Sequence, residues 1–124
     1  MPYTILKEVT FAAAHFIPGH RGPCKNLHGH NYRIRVFLRA ATLDGLGMVL
    51  DFADLKQQIG AVTDRFDHQV INEVPPFDRI VPTAELLAEH IFRGLAGKVA
   101  SPRIEVARVE VWETDRSCAA FEAD

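Results

Sequence analysis

The segment from Tyr32 to Arg39 alternates between apolar side chains and mostly basic ones. The apolar set is Tyr32, Ile34, Val36 and Leu38, and the basic set is Arg33, Arg35 and Arg39. Successive side chains of a β-strand point to opposite faces, so this pattern predicts a half-buried strand. A slip of one residue would bury the arginines, so the register is strongly specified. The chain must therefore build a sheet with one apolar face and one polar face.

The remaining patterns predict six elements in the order strand, strand, helix, helix, strand, strand. The first strand shows apolar alternation from Tyr3 to His15, interrupted only by Lys7. The other predicted elements are helices from Phe52 to about Phe66 and from Ala84 to Ala96, a strand from about Arg103 to Glu113, and a short final strand ending near Phe121. Asp51 and Thr83 are the expected N-caps, and Gly97 is the expected stop of the second helix.

Within the third strand the apolar positions change parity, from Ile104 and Val106 to Val109 and Val111. This change predicts a β-bulge near Ala107 and Arg108. Four antiparallel strands with two helices inserted between the second and third form an α+β fold whose helices cover the apolar face.

The composition limits the class of protein. With 124 residues the chain is expected to form one domain spanning 1–124, and 48% hydrophobic residues can supply its core. No apolar run reaches the roughly 20 residues of a membrane span. A net charge near −2 argues against nucleic acid as the main partner. Cys24 and Cys118 are the only cysteines, and the N-terminal residues lack a secretory pattern, so we expect free thiols and a cytoplasmic location.

Three histidines are placed to meet at one end of the first two strands. His28 and His30 stand two residues apart where the second strand begins, and both share the parity of Tyr32. His15 lies on the apolar face at the end of the first strand. If these strands pair antiparallel across the loop from Phe16 to Leu27, the three imidazoles converge.

Three imidazole ligands leave one position of a tetrahedral zinc ion open, which is typical of a catalytic site. Other late first-row metals accept the same ligands. The alternative is that the three are core or loop residues with satisfied hydrogen bonds. For His20 in the loop and His90 beside Glu89, an ordinary structural role is expected.

Cys24 lies four residues before His28, inside the loop that must fold over the proposed metal. Neighbouring Lys25 and a nearby dication would both favour the thiolate, which can act as a base or nucleophile. Two alternatives remain: an inert thiol, or a fourth zinc ligand that would make the site structural.

Two further candidates carry carboxylates. Asp67-His68 follows the first helix, and such a pair can form a proton relay or simply cap the helix end. Glu113 shares the parity of Val109 and Val111, so its carboxylate is predicted to face the apolar side and to need a partner. It could accept two parallel N–H bonds from the edge of a guanine or pterin ring. If the strand phase slips, Glu113 is a solvated strand end.

Several segments together resemble a known family. They are Phe11-Ala12-Ala13-Ala14-His15, Cys24-Lys25-Asn26-Leu27-His28-Gly29-His30-Asn31-Tyr32, Gly47-Met48-Val49-Leu50-Asp51-Phe52, Asp54-Leu55-Lys56, Phe66-Asp67-His68, Pro82-Thr83-Ala84-Glu85 and Trp112-Glu113-Thr114. In this order the chain is similar to the 6-pyruvoyltetrahydropterin synthase family, specifically its 6-carboxytetrahydropterin synthase branch in queuosine biosynthesis. The short spacing from Cys24 to His28 resembles that branch, whereas the pyruvoyl-forming enzymes have a longer one.

The resemblance implies a tunnelling fold whose subunits complete a β-barrel as a homohexamer of two stacked trimers, with the arginine face of the second strand lining the barrel. It implies a lyase in which His15, His28 and His30 bind Zn²⁺ and Cys24 is the general base. Asp67 and His68 would form a relay across a subunit interface, Glu113 would anchor the pterin, and Thr83 and Glu85 would line its pocket.

The implied substrate is 7,8-dihydroneopterin triphosphate, and the implied products are 6-carboxytetrahydropterin, acetaldehyde and triphosphate. Two other functions stay open from the sequence. One is the pyruvoyl-forming enzyme on the same scaffold, and the other is a non-catalytic zinc- or pterin-binding module.

Overall fold

The computed structural model describes residues 1–124. Its main elements are β1 (Tyr3–His15), β2 (His28–Ala40), α1 (Phe52–Thr63), α2 (Ala84–Val99), β3 (Ile104–Thr114) and β4 (Ser117–Glu122), with short 3-10 turns at Pro23–Lys25, Asp64–Phe66 and Ile71–Glu73. The strands form one antiparallel sheet in the order β1-β2-β3-β4. Both helices pack on one face of this sheet and enclose the core with it. The predicted α+β fold is confirmed.

The β1–β2 register confirms the convergence that the sequence predicts. His15 pairs with His28, and Ala13 pairs with His30. Directly opposed residues share a face, so all three imidazoles lie on the helix-covered side, at the loop end of the hairpin.

The predicted bulge in β3 is also confirmed. Phe37 pairs with Arg108 while the next residue of β2, Leu38, pairs with Val106, so Ala107 is the extra residue. Beyond it, Val109 and Val111 are fully buried. The bulge therefore keeps the apolar positions on the core side along the whole strand.

The predicted N-caps are present, but the predicted end of the second helix was wrong. Asp51 Oδ1 accepts from the Ala53 N–H at 2.7 Å, and Thr83 Oγ1 accepts from the Leu86 N–H at 3.1 Å. α2 does not stop at Gly97 but continues to Val99. Gly97 lacks the positive φ of a glycine cap, and the extra turn buries Val99 in the core. α1 ends at Thr63, and the chain continues to Phe66 as a 3-10 turn.

The other face of the sheet carries ion pairs. Arg35 donates to Glu8 at 2.9 Å, and Arg108 bridges Glu110 at 2.9 Å and Glu122 at 2.8 Å. Trp112 donates its indole N–H to Glu110, which is why this buried carboxylate is stable there.

No helix has the length and apolar character needed to cross a membrane.

Candidate metal centre

Three imidazoles form one cluster at the loop end of the β1–β2 hairpin. The ligand nitrogens of His15, His28 and His30 all lie within 4.8 Å of one another. The rings meet edge to face, with centroids 4.6 to 5.1 Å apart. One ion of ordinary size can therefore contact all three.

Backbone carbonyls set the protonation of two of these rings. His15 Nδ1 lies 2.8 Å from the carbonyl oxygen of Pro82, and His28 Nδ1 lies 2.8 Å from that of Asn26. Because a carbonyl can only accept, each Nδ1 must carry a proton, and each Nε2 then presents a lone pair. The segment before α2 and the loop before β2 thus orient both rings.

The cluster has unmet hydrogen-bonding capacity that a metal would satisfy. His15 Nε2 and His30 Nε2 are buried and have no hydrogen-bond partner. Burial, which outweighs the nearby Glu113 charge, lowers the pKa of both His15 and His30. Neutral imidazoles with free lone pairs are the donor set that zinc and other late first-row metals prefer, so the residues fit such an ion.

Glu113 adds a carboxylate beside the cluster. Its Oε2 lies 3.5 Å from His15 Nε2 and 3.8 Å from His30 Nε2, and its side chain is 25% exposed. This is the face that the strand parity predicts. His15 Nε2 has no proton to give to Glu113, and a cation held by the imidazoles would attract this carboxylate.

Cys24 lies near the cluster in sequence but outside it in space. It sits half-buried in the turn Pro23–Lys25, and its carbonyl accepts from the Ile17 N–H at 2.8 Å. The group of mutually close ligand atoms contains the three imidazoles and no thiol. Cys24 and Cys118 are both free.

Asp67 and His68 lie beside the outer edge of β1. Asp67 Oδ1 accepts from the Ala12 N–H at 3.1 Å and lies 3.0 Å from His68 Nδ1. These contacts, the Ala12 bond first, lower the pKa of Asp67. Together the pair lines a hollow with Asn31 and Arg33, which project from the open face. His68 also lines a second hollow with His30, but neither Asp67 nor His68 belongs to the group of mutually close ligand atoms.

Comparison with known proteins assigns the family. The model of the family described as 6-pyruvoyl tetrahydropterin synthase matches residues 4–124. The chain belongs to this family. It is 39% identical over 108 residues to a protein of Archaeoglobus fulgidus named putative 6-carboxy-5,6,7,8-tetrahydropterin synthase, covering 87% of this chain and 85% of that one.

A second relative and a solved structure agree with this assignment. The 6-carboxy-5,6,7,8-tetrahydropterin synthase of Synechocystis sp. is 36% identical over 124 residues, covering 96% of this chain and 92% of that one. The structure of 6-pyruvoyl tetrahydropterin synthase from Caenorhabditis elegans superposes with a TM-score of 0.87 at 29% identity, covering 100% and 97% of the two chains. The chain is thus a tetrahydropterin synthase of the 6-pyruvoyl tetrahydropterin synthase family.

The two remaining candidates of this family member, Thr83 and Glu85, lie at the start of α2. Thr83 caps α2 directly after Pro82, the residue that holds His15, and Glu85 follows in the first turn. His20 accepts from the Gly22 N–H in the loop, and His90 on α2 contacts Arg65, so neither belongs to the cluster.

Sequence reasoning missed two residues of this tetrahydropterin synthase. Asn72 donates to the Phe16 carbonyl and accepts from its N–H, both at 3.0 Å, and so holds the chain directly after His15. Tyr32 is fully buried and its hydroxyl has no partner. The sequence did carry a signal for Tyr32, which lies two residues after His30 on the same face of the strand. The apolar alternation by itself identified Tyr32 only as a core residue.

Proposed function

We propose that this enzyme converts 7,8-dihydroneopterin triphosphate to 6-carboxy-5,6,7,8-tetrahydropterin, acetaldehyde and triphosphate, and that it requires Zn²⁺. The observation that carries the proposal is the convergence of His15, His28 and His30, two of them with buried, unpartnered Nε2 atoms. The names of relatives at 36% and 39% identity support the 6-carboxy product. The product class suits a pathway to 7-deazaguanines such as queuosine.

The three imidazoles would hold the ion and leave a fourth position for oxygens of the substrate side chain. Zinc bound there would supply Lewis-acid polarisation, which makes the neighbouring C–H and O–H protons more acidic. Cys24, in the half-buried turn before β2, would remove such a proton as general base.

Asp67 and His68 would redistribute that proton as a relay. Asp67 is held by the Ala12 N–H and can fix the tautomer of His68. Because the pair lies outside the imidazole cluster of its own chain, it would serve the site of a neighbouring subunit. This requires an oligomer, and we propose a homohexamer of two trimers in which Arg33 and Arg35 line the barrel.

Glu113 would anchor the substrate ring. Its carboxylate lies beside the metal position, where it can accept two N–H bonds from the amino-pyrimidine edge of a pterin. Thr83 and Glu85, at the start of α2, would line the same pocket. We further propose a single domain over 1–124, a cytoplasmic location, and no nucleic-acid or membrane partner.

A second candidate is the 6-pyruvoyl activity, because the C. elegans enzyme of that name superposes over the whole chain. The test is incubation of the zinc-loaded protein with dihydroneopterin triphosphate, followed by analysis of both products. Acetaldehyde together with a carboxypterin supports the proposal, and a pyruvoyl product without acetaldehyde replaces it with the second candidate. No turnover by a zinc-loaded protein that binds pterin would indicate a non-catalytic binding module. The matched control is the same protein after chelation.

A further inference from the structure

The hydroxyl of Tyr32 is an unexplained polar atom in the floor of the metal centre. The side chain is 0% exposed, and the hydroxyl has no hydrogen-bond partner. One face of the ring stacks on Phe11 at 5.1 Å, and ring edges of His30 and His15 approach at 5.3 and 5.8 Å. A buried donor without an acceptor costs free energy, so the working state of the site is expected to supply one.

The sheet register places one carboxylate next to Tyr32. Ile34 pairs with Val111, and Arg33 pairs with Trp112. The paired residues end there, and Tyr32 and Glu113 are the next residues of the two strands, with Glu113 beside the same imidazoles that border Tyr32. Cross-strand neighbours of this kind have Cβ atoms about 5 Å apart, within reach of a tyrosine and a glutamate.

The other acceptors nearby are the imidazole nitrogens, and a bound metal removes them. Nε2 of His15 and of His28 are free lone pairs that a metal would take, since their Nδ1 atoms donate to carbonyls. His30 Nε2 is likewise buried and without a partner, so it is available to the same ion. In the loaded site the Glu113 carboxylate would be the anionic acceptor beside the Tyr32 hydroxyl.

A hydrogen bond there would also control where the carboxylate goes. Glu113 Oε2 is already 3.5 Å from His15 Nε2, which is close to the spacing between neighbouring ligands of a tetrahedral ion. An unrestrained carboxylate would be drawn onto the cation and would close the open position. A donor on the opposite side would hold it back and leave it free to bind a pterin edge.

We propose that Tyr32 is a positioning residue whose hydroxyl donates a hydrogen bond to the Glu113 carboxylate and thereby keeps it off the metal and available to the pterin. This inference rests on the proposed function. It assigns Tyr32 an indirect effect, through Glu113, on substrate binding.

The first experiment compares Tyr32→Phe with Tyr3→Phe, which removes the hydroxyl of the other, half-exposed tyrosine. We expect zinc-loaded Tyr32→Phe to bind neopterin about tenfold more weakly and to raise KM by a similar factor, with kcat changed less than threefold. Tyr3→Phe should match the parent protein. Unchanged neopterin affinity and KM in Tyr32→Phe would overturn the inference.

The second experiment needs no pterin and separates this inference from the proposed function. It is a double-mutant cycle with Tyr32→Phe and Glu113→Met, read as the urea midpoint of zinc-loaded protein. We expect Tyr32→Phe to lower the midpoint of the parent and not that of Glu113→Met. Additive changes in the midpoint would overturn the Tyr32–Glu113 bond, whatever the substrate is. Absence of pterin binding and turnover in the parent protein would instead overturn the proposed function. In that case the cycle would still decide whether the bond exists.

Discussion

The Nδ1 of His15 donates a hydrogen bond to the carbonyl of Pro82, 67 residues further along the chain, at 2.8 Å. This bond joins the end of β1 to the start of α2. It fixes the tautomer that turns the His15 Nε2 lone pair toward His28 and His30. The imidazole cluster is therefore built by the packing of the helix layer on the sheet as well as by the hairpin.

Removal of one imidazole should abolish tight metal binding. We expect His30→Ala to lose zinc affinity by at least about 100-fold, more than the loss typical of a second-shell change. The measurement is metal content after dialysis together with competition against a chromophoric chelator. His20→Ala, in the exposed loop, is the control and should keep the zinc. Stoichiometric zinc in His30→Ala would contradict the three-histidine site.

Alanine substitutions of the two cysteines should have different effects on turnover. Cys24→Ala is expected to keep its zinc, because the thiol lies outside the imidazole cluster. Its turnover should fall by about 100-fold or more, because the variant lacks the proposed general base. Cys118→Ala should retain both properties. Zinc analysis and a product assay on each variant test this. Loss of zinc from Cys24→Ala would instead identify a closed, four-ligand site.

Two glycines of α2 should respond in opposite directions to alanine. A Cβ at Gly94 would lie 3.1 Å from Val62 Cγ1 on α1, whereas a Cβ at Gly97 would meet nothing within 4 Å. We expect Gly94→Ala to lower the free energy of unfolding by about 1 kcal/mol, because roughly 1–3 kcal/mol of overpacking exceeds the roughly 1 kcal/mol that alanine adds in helix propensity. Gly97→Ala should raise it by about 0.5–1 kcal/mol through helix propensity. Urea unfolding of both variants measures the difference, and equal effects would argue against the close helix contact.

The pH dependence of stability should report on His90. Its Nε2 accepts from the Arg65 guanidinium, and its ring packs between Phe66 and Phe77, with centroids 5.8 and 5.4 Å away. Burial, and then the Arg65 charge, lower the His90 pKa from 6.5. The unfolded chain therefore binds a proton below about pH 6.5 that the folded chain does not, so the free energy of unfolding falls as pH drops from there toward the folded pKa.

His90→Gln keeps an acceptor for Arg65 without the titration. In metal-free protein the loss of unfolding free energy between pH 7 and pH 5 should be smaller in His90→Gln than in the parent, where His15 and His30 contribute in the same direction. Identical pH slopes would show that His90 does not titrate with folding.

Local patterns predicted the strands and the histidine cluster because alternation along a strand is a local property. The parity of His15, His28 and His30 needed only an antiparallel pairing to bring the rings together. Two features could not be predicted in this way. The position of Asp67 depends on the next residue, His68, at φ +59°, whose N–H bonds to the Ala12 carbonyl on the outer edge of β1. The two hydrogen bonds between Asn72 and Phe16 join residues 56 positions apart, and such a long-range contact leaves no periodic pattern in the sequence.

Ala107, the extra residue of β3 against β2, decides which acid of β3 stands beside the imidazoles. Regular pairing beyond Val106 would turn Glu110 toward the helices and send Glu113 to the opposite side with the arginines. A one-residue insertion or deletion between Ala107 and Glu113 would also turn Glu113 to the opposite side. The side-chain parity of Glu113 is therefore kept only when this stretch changes length by an even number of residues or gains a further bulge.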